Sequence, residues 1–212
     1  TGQKMADTVA DAVPWLVAAG AQLALHGQGD RALEDRFLAL AEQYPGRVSV
    51  RVGYEERLAR RLLAGADILL HPSRFEPFGL VPIYALRYGT LPVVRSVGGM
   101  ADSVVDDSTP NSDGNATGFS FSGDALEDLL ACLRRALDIF RQPVGWRRMQ
   151  RHAMRQDFGW RNPAEEYLRL YRTLTGSRAD QDFAEPDRRR APWSEGTFMP
   201  SPEPKRARTA KG

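Results

Sequence analysis

Short runs of strand length and longer runs of helical spacing alternate five times along this chain. That alternation limits the fold more than any other feature. A strand joined to the next strand through a helix runs parallel to it, so the order indicates an α/β class with a doubly wound, Rossmann-like parallel sheet. Strands are expected at 22–26, 47–52, 67–70, 91–95 and 118–121. In the second of these, Val48, Val50 and Val52 alternate onto one face.

Helical patterns fill the intervals. Met5, Val9, Ala12, Val13, Leu16 and Val17 form the apolar face of the first, entered through a glycine turn at Thr1–Lys4. Asp30 is placed to cap the second, which stops at Pro45-Gly46. Further helices are expected over 55–64 and 79–88, after Asp124 as a cap, from Pro143 and from Asn162-Pro163.

The 212 residues suffice for one sizeable domain. The 29 basic residues are balanced by 27 acidic ones, a net charge of +2 that gives no reason to expect nucleic acid. The single cysteine, Cys132, excludes an internal disulfide framework and falls in an apolar helical pattern, which points to the core. No apolar run reaches membrane-spanning length and no signal peptide is recognisable, so no membrane partner and a cytoplasmic location are expected. From about Ser177 the chain turns polar, basic and proline-rich without periodicity, and 178–212 reads as a disordered tail. Asp180-Gln181-Asp182 has the D-x-D spacing of some metal sites, but its place at the edge of that tail makes it a chance match, and no metal is expected.

The densest local signal is 71–90. An apolar run, Asp67 to Leu70, reaches Pro72 and Pro77, which stop regular structure. A helical pattern then opens at Gly79, with Leu80, Ile83, Tyr84 and Leu86 in register. Free amides at such a helix start attract anions, and the helix dipole adds to the attraction. Arg74 and Glu76 sit in the loop, at the strand end where parallel sheets place ligands. A second strand, Leu91–Val94, runs into a second glycine turn at Gly98-Gly99.

The run SRFEPFGL…YALRYGTLPVVRSVGGMADSVVD closely resembles the bacterial glycogen synthase and plant starch synthase family. The resemblance extends upstream through TGQK, GQGD and VGYEE and, more weakly, downstream to about residue 175. It implies the C-terminal half of a GT-B glycosyltransferase, with 1–177 as the nucleotide-sugar-binding domain. It implies retaining transfer of glucose from ADP-glucose to the non-reducing end of an α-1,4-glucan, without cofactor or metal. The active site would lie between this domain and an N-terminal domain of the same protein, and the isolated chain would be inactive. Because the chain opens at the turn that should follow a first strand, the sheet is expected to lack that central strand.

Residue by residue, the resemblance gives Lys4 a contact to the donor phosphates and Glu76 a contact to the donor glucose. Both are the catalytic candidates. Arg74, Phe78, Gly79, Leu80 and Val81 join them as donor-binding candidates, the Gly79 and Leu80 amides facing phosphate. Val81 stands where many relatives have a polar residue, so no side-chain hydroxyl is offered there. Tyr84 stands where related transferases carry a second acid, which favours glycogen synthases over those relatives. Tyr54 is either a ring on which adenine stacks or a core tyrosine. Gly98, Gly99 and Asp102 either shape the sugar pocket or form a structural turn. His26, His71 and His152 are isolated in sequence and receive no catalytic role. Two alternatives remain: a related transferase with another nucleotide-sugar, and a non-catalytic nucleotide- or glucan-binding fragment.

Overall fold

The computed structural model describes residues 2–108 and 114–175. The tail at 178–212 and its Asp180–Asp182 run lie outside the described residues. A 3-10 turn, Gly2–Lys4, leads into α1 (Ala6–Ala18). Then follow β1 (Leu23–Gly27), α2 (Arg31–Gln43), β2 (Val48–Val52), α3 (Glu56–Gly65), β3 (Ile68–His71), α4 (Leu80–Tyr88) and β4 (Leu91–Arg95). After them come α5 (Gly99–Ser103), β5 (Phe119–Phe121), α6 (Leu126–Phe140) and α7 (Pro143–Arg155). The final helix, α8 (Arg161–Thr175), lies in a second compact unit that begins at Gly159.

All pairing among the described strands is parallel, as alternation requires, but it forms two sheets rather than one. β1 pairs with β2 from Leu23↔Val48 to Gly27↔Val52. β4 lies between β3 and β5, with Ile68↔Leu91 on one side and Val93↔Phe119 on the other. β1 and β3 each have one edge without a strand partner among the described residues, and both line an open cleft of about 2060 Å³.

β4 is buried along Leu91–Val94, although it contains Pro92, which cannot donate to a ladder. The Leu91 N–H points to β3, donating to the Asp67 carbonyl over 3.0 Å. Alternation turns the Pro92 nitrogen toward β5, whose register starts only at Val93↔Phe119, so no ladder bond is lost.

Helix contacts form a belt around the strands: α3 on α4, α4 on α7, α7 on α6, α6 on α1 and α1 on α2. The main core gathers Met5 and Leu16 of the N-terminal segment, Leu86, Leu91, Val93, Phe119, Leu129, Leu133 and Trp146. A second cluster joins Val9 and Val13 to Phe37, Leu40 and Val48 beside the β1–β2 pair. Each such fully buried side chain contributes about 1.5–3 kcal/mol. Cys132 is in the main core, and burial pushes its thiol up to about 11, so it packs rather than reacts.

Local signals resolve in two ways. Asp30 caps α2, accepting from the Ala32 and Leu33 amides at 3.1 and 3.3 Å. Asp124 does not cap α6. The helix begins one step later, with Ala125 at the N-cap, and Asp128 instead accepts from the Ala125 amide at 3.2 Å. His71, one residue past the strand expected at 67–70, is the last residue of β3.

Candidate active site

The site forms where the N-terminal turn docks on the loop between β3 and α4. The Arg74 amide donates to the Gln3 carbonyl at 2.8 Å, and the Gln3 side-chain amide donates to the Phe75 carbonyl at 3.0 Å. The Arg74 guanidinium holds the Gly2 carbonyl and grips Asp7 at 3.1 and 3.0 Å. That bond to Arg74 pulls the Asp7 carboxyl below its ordinary value. On the far side of the loop, Arg95 donates to the Arg74 carbonyl at 3.0 Å and to the Gly123 carbonyl at 2.8 Å. The loop is thus tied to three separate parts of the chain.

Between these ties, the Lys4 ammonium and the Glu76 carboxylate form an ion pair at Glu76 Oε2. His71 Nε2 approaches the same oxygen at 3.3 Å. The Glu76 side chain is 12 % exposed, His71 17 % and Lys4 43 %. Burial alone would push the Glu76 carboxyl up. The bonds from Lys4 and His71 more than offset this, and it titrates below its ordinary value. Burial pulls His71 down, Lys4 adds to that, and Glu76 only partly opposes it.

Lys4 is aimed by its neighbour. Met5 takes the left-handed conformation (φ 51°) between the 3-10 turn and α1, while its side chain is fully buried. That backbone costs about 1–3 kcal/mol in a non-glycine residue. Burying the Met5 side chain returns about 1.5–3 kcal/mol.

Gly79, with φ 91°, is the N-cap of α4, and no side chain caps the helix. The first-turn amides of α4, at Leu80 and Val81, therefore lie outside the intrahelical ladder. A Cβ on Gly79 would come within 2.9 Å of the Met100 side chain. The Gly98-Gly99 turn supports the same loop from behind. Gly98 has φ 51°, and a Cβ there would strike the Glu76 carbonyl oxygen. A Cβ on Gly99 would lie 2.7 Å from the Phe78 carbonyl oxygen. Asp102 lies in the short helix α5 that follows.

The remaining candidates are spread around this centre. Tyr54 follows β2 and is 79 % exposed, so it is no core tyrosine. Lys4, Tyr54, His71, Val81 and Tyr84 all line the large cleft. Phe78, Leu80 and Val81 are exposed. Arg74 is committed to Asp7 and Gly2. Sequence reasoning missed Gln3, Asp7, Arg95 and the contact of His71 with Glu76. Only Gln3 and Arg95 fall within the quoted motifs, and none of the four carried a local signal of its partner. Among the described residues, no group of three or more His, Cys, Asp or Glu side chains is placed to hold a metal ion. No described helix is long and apolar enough to cross a membrane.

Comparison with known proteins gives a consistent picture. The family described as glycosyl transferases group 1 matches residues 1–139. A glycogen synthase of Yersinia pseudotuberculosis (serotype O:1b, strain IP 31758) is 49 % identical over 175 residues, 82 % of this chain and 37 % of the relative. One from Edwardsiella ictaluri (strain 93-146) is 50 % identical over the same 175-residue span length and the same shares. The catalytic domain of starch synthase IV from Arabidopsis thaliana, solved with ADP and acarbose, superposes with a TM-score of 0.71 at 27 % identity. That match covers 84 % of this chain and 37 % of the other. The chain therefore spans little more than a third of the length of the relatives it matches.

Proposed function

Because the chain belongs to the glycosyl transferases group 1, we propose that it is the donor-binding half of a glycogen synthase. In this reading it holds ADP-glucose and passes glucose to the non-reducing end of an α-1,4-glucan. It does so with an N-terminal domain of the same protein, in the cytoplasm and without a metal. The observation that carries the proposal is the meeting of Lys4 and Glu76 beside the uncapped start of α4. The 49 % identity to a protein named glycogen synthase supports the choice of reaction.

The chemistry follows from the charges. The bond from the glucose anomeric carbon to the diphosphate breaks, and a bond to an acceptor hydroxyl oxygen forms. The hydroxyl proton leaves with ADP. Charge accumulates on the departing phosphate, where Lys4 and the Leu80 and Val81 amides lower its energy. The sugar becomes cation-like, and the Glu76 carboxylate, kept ionised by its neighbours, favours that state. Tyr54, exposed beside the cleft, offers its ring to the base. Phe78 and Gly79 shape the turn over the sugar. Arg74 reaches the donor only by exchanging Asp7 and Gly2, so its first role is to hold the loop.

The test uses the protein at its full natural length, with labelled ADP-glucose and UDP-glucose and glycogen as acceptor. Transfer from ADP-glucose, with weaker transfer from UDP-glucose, is the expected result. A preference for UDP-glucose would overturn the donor assignment, and no transfer from either would leave a binding module.

A further inference from the structure

His71 shares an oxygen with a cation. Its Nε2 lies 3.3 Å from Glu76 Oε2, the atom that also receives Lys4. A carboxylate oxygen offers only lone pairs, so a favourable contact at this distance needs the ring proton on Nε2. The charged groups that act on the imidazole are Glu76, on the loop that follows β3, and Lys4, on the N-terminal turn. With the ring largely buried at the end of β3, the neutral form is favoured at neutral pH. Glu76 therefore has two donors on one oxygen, one charged and one neutral.

The two donors differ in what a substrate does to them. If Lys4 serves the donor diphosphate, as the proposed function holds, it must turn away from Glu76 when ADP-glucose binds. Glu76 would then keep only the histidine. We propose that His71 is a positioning residue for the sugar-transfer step: its neutral Nε2–H holds the Glu76 carboxylate in place once Lys4 has moved to the diphosphate. This deepens the proposed function and rests on it. A neutral donor suits the task because it orients the carboxylate without cancelling its charge. A second cation on Oε2 would weaken the field that favours a cationic sugar. Protonating His71 therefore slows the reaction, and the kcat profile should carry an acid limb that comes from His71, which burial holds below its ordinary value.

The experiment compares the full-length wild type with His71→Leu and His71→Gln. A glutamine amide restores an N–H donor near the place of Nε2, and leucine does not. Expected for His71→Leu is a kcat lowered by about 10- to 100-fold, the scale of a reacting group held loosely. Its Kd for ADP should stay within about twofold of wild type, which also shows that the variant is folded. His71→Gln should recover most of kcat and lose the acid limb. An unchanged kcat in His71→Leu, or equal losses in both variants, would overturn the proposal. Nitrogen NMR of histidine-labelled wild type gives a readout independent of turnover. His71 should be neutral with its proton on Nε2, whereas a charged ring or an Nδ1–H form at neutral pH would overturn the proposal. Absence of transfer in wild type would instead sink the reading of the site as a glucosyltransferase.

Discussion

Lys4 and Glu76 stand 72 residues apart in sequence and meet in one ion pair, with the carboxylate largely buried and the ammonium half in solvent. Two charges of opposite sign are thereby stored side by side at the start of α4. Under the proposed function, a donor diphosphate would compete for the lysine and free the carboxylate to face the sugar. Ligand binding and the arming of Glu76 would then be one event.

Glu76→Gln keeps the shape of the side chain and removes the charge. In the full-length protein, kcat for glucosyl transfer should fall by about two orders of magnitude or more, the scale for loss of one preorganised electrostatic contact. The Kd for ADP should not rise, since ADP carries no sugar and its diphosphate no longer competes with a charged Glu76 for Lys4. Steady-state kinetics together with calorimetry separate the two effects. Near-normal turnover would remove Glu76 from the reaction.

Lys4→Ala should weaken both ADP binding and turnover. One charge-assisted contact to phosphate is worth about 1.5–3 kcal/mol, or roughly 10- to 150-fold in Kd. The variant also leaves the partly buried Glu76 with His71 alone, so its carboxyl should titrate higher than in wild type. An unchanged donor KM and kcat would make Lys4 a surface lysine.

Asp106 anchors the far end of the fold. It accepts from Arg135 at 3.0 and 3.2 Å, from the Ser120 amide and from Ser108. Although burial pushes its carboxyl up, these bonds bring it from 3.8 down to about 2. A carboxyl lowered on folding adds stability above its unfolded value and loses it as pH falls toward its folded value. Asp106→Asn should therefore cost about 2 kcal/mol near neutral pH. The gap from wild type should shrink below pH 3.8 and close near pH 2. Asp107, raised by burial on the same Arg135, acts in the opposite sense and softens the slope. Denaturant titrations at several pH values measure this, and a gap that persists at the acid end would refute it.

The open edges of β1 and β3 predict an uneven pattern of hydrogen exchange. β4 is paired on both sides and should hold the slowest amides. Amides of β1 and β3 that point away from β2 and β4 should exchange orders of magnitude faster. Exchange of this chain, followed by NMR, tests the point. Equal protection in β1, β3 and β4 would mean that these edges are paired in solution.

What the residues determined by themselves is local. Alternation of short and long apolar periods set the element order, and the parallel direction followed from it. Asp30 caps its helix because a cap involves only the next three residues. Gly79 opens α4 because a left-handed turn after Pro77 needs a residue without a Cβ. The motif from Ser73 to Asp106 carried the family, and the resemblance, extended to the TGQK run, offered Lys4 and Glu76 as candidates for the site.

The tertiary structure decided what depends on distant parts meeting. Whether β1 and β3 pair is a matter of edge against edge, and no period within either strand records it. Arg74 looked free for phosphate because its partners, Gly2 and Asp7, arrive from the other end of the domain. Gly98 and Gly99 read equally as a turn or a pocket wall, and the structure adds that their turn packs too closely on the Glu76–Phe78 backbone to admit a Cβ. His71 looked isolated because its contact with Glu76 appears only when Pro72 and Pro77 fold the loop back over the end of β3. Local propensity writes elements into a sequence, whereas a site is a set of side-chain distances fixed only when the elements pack.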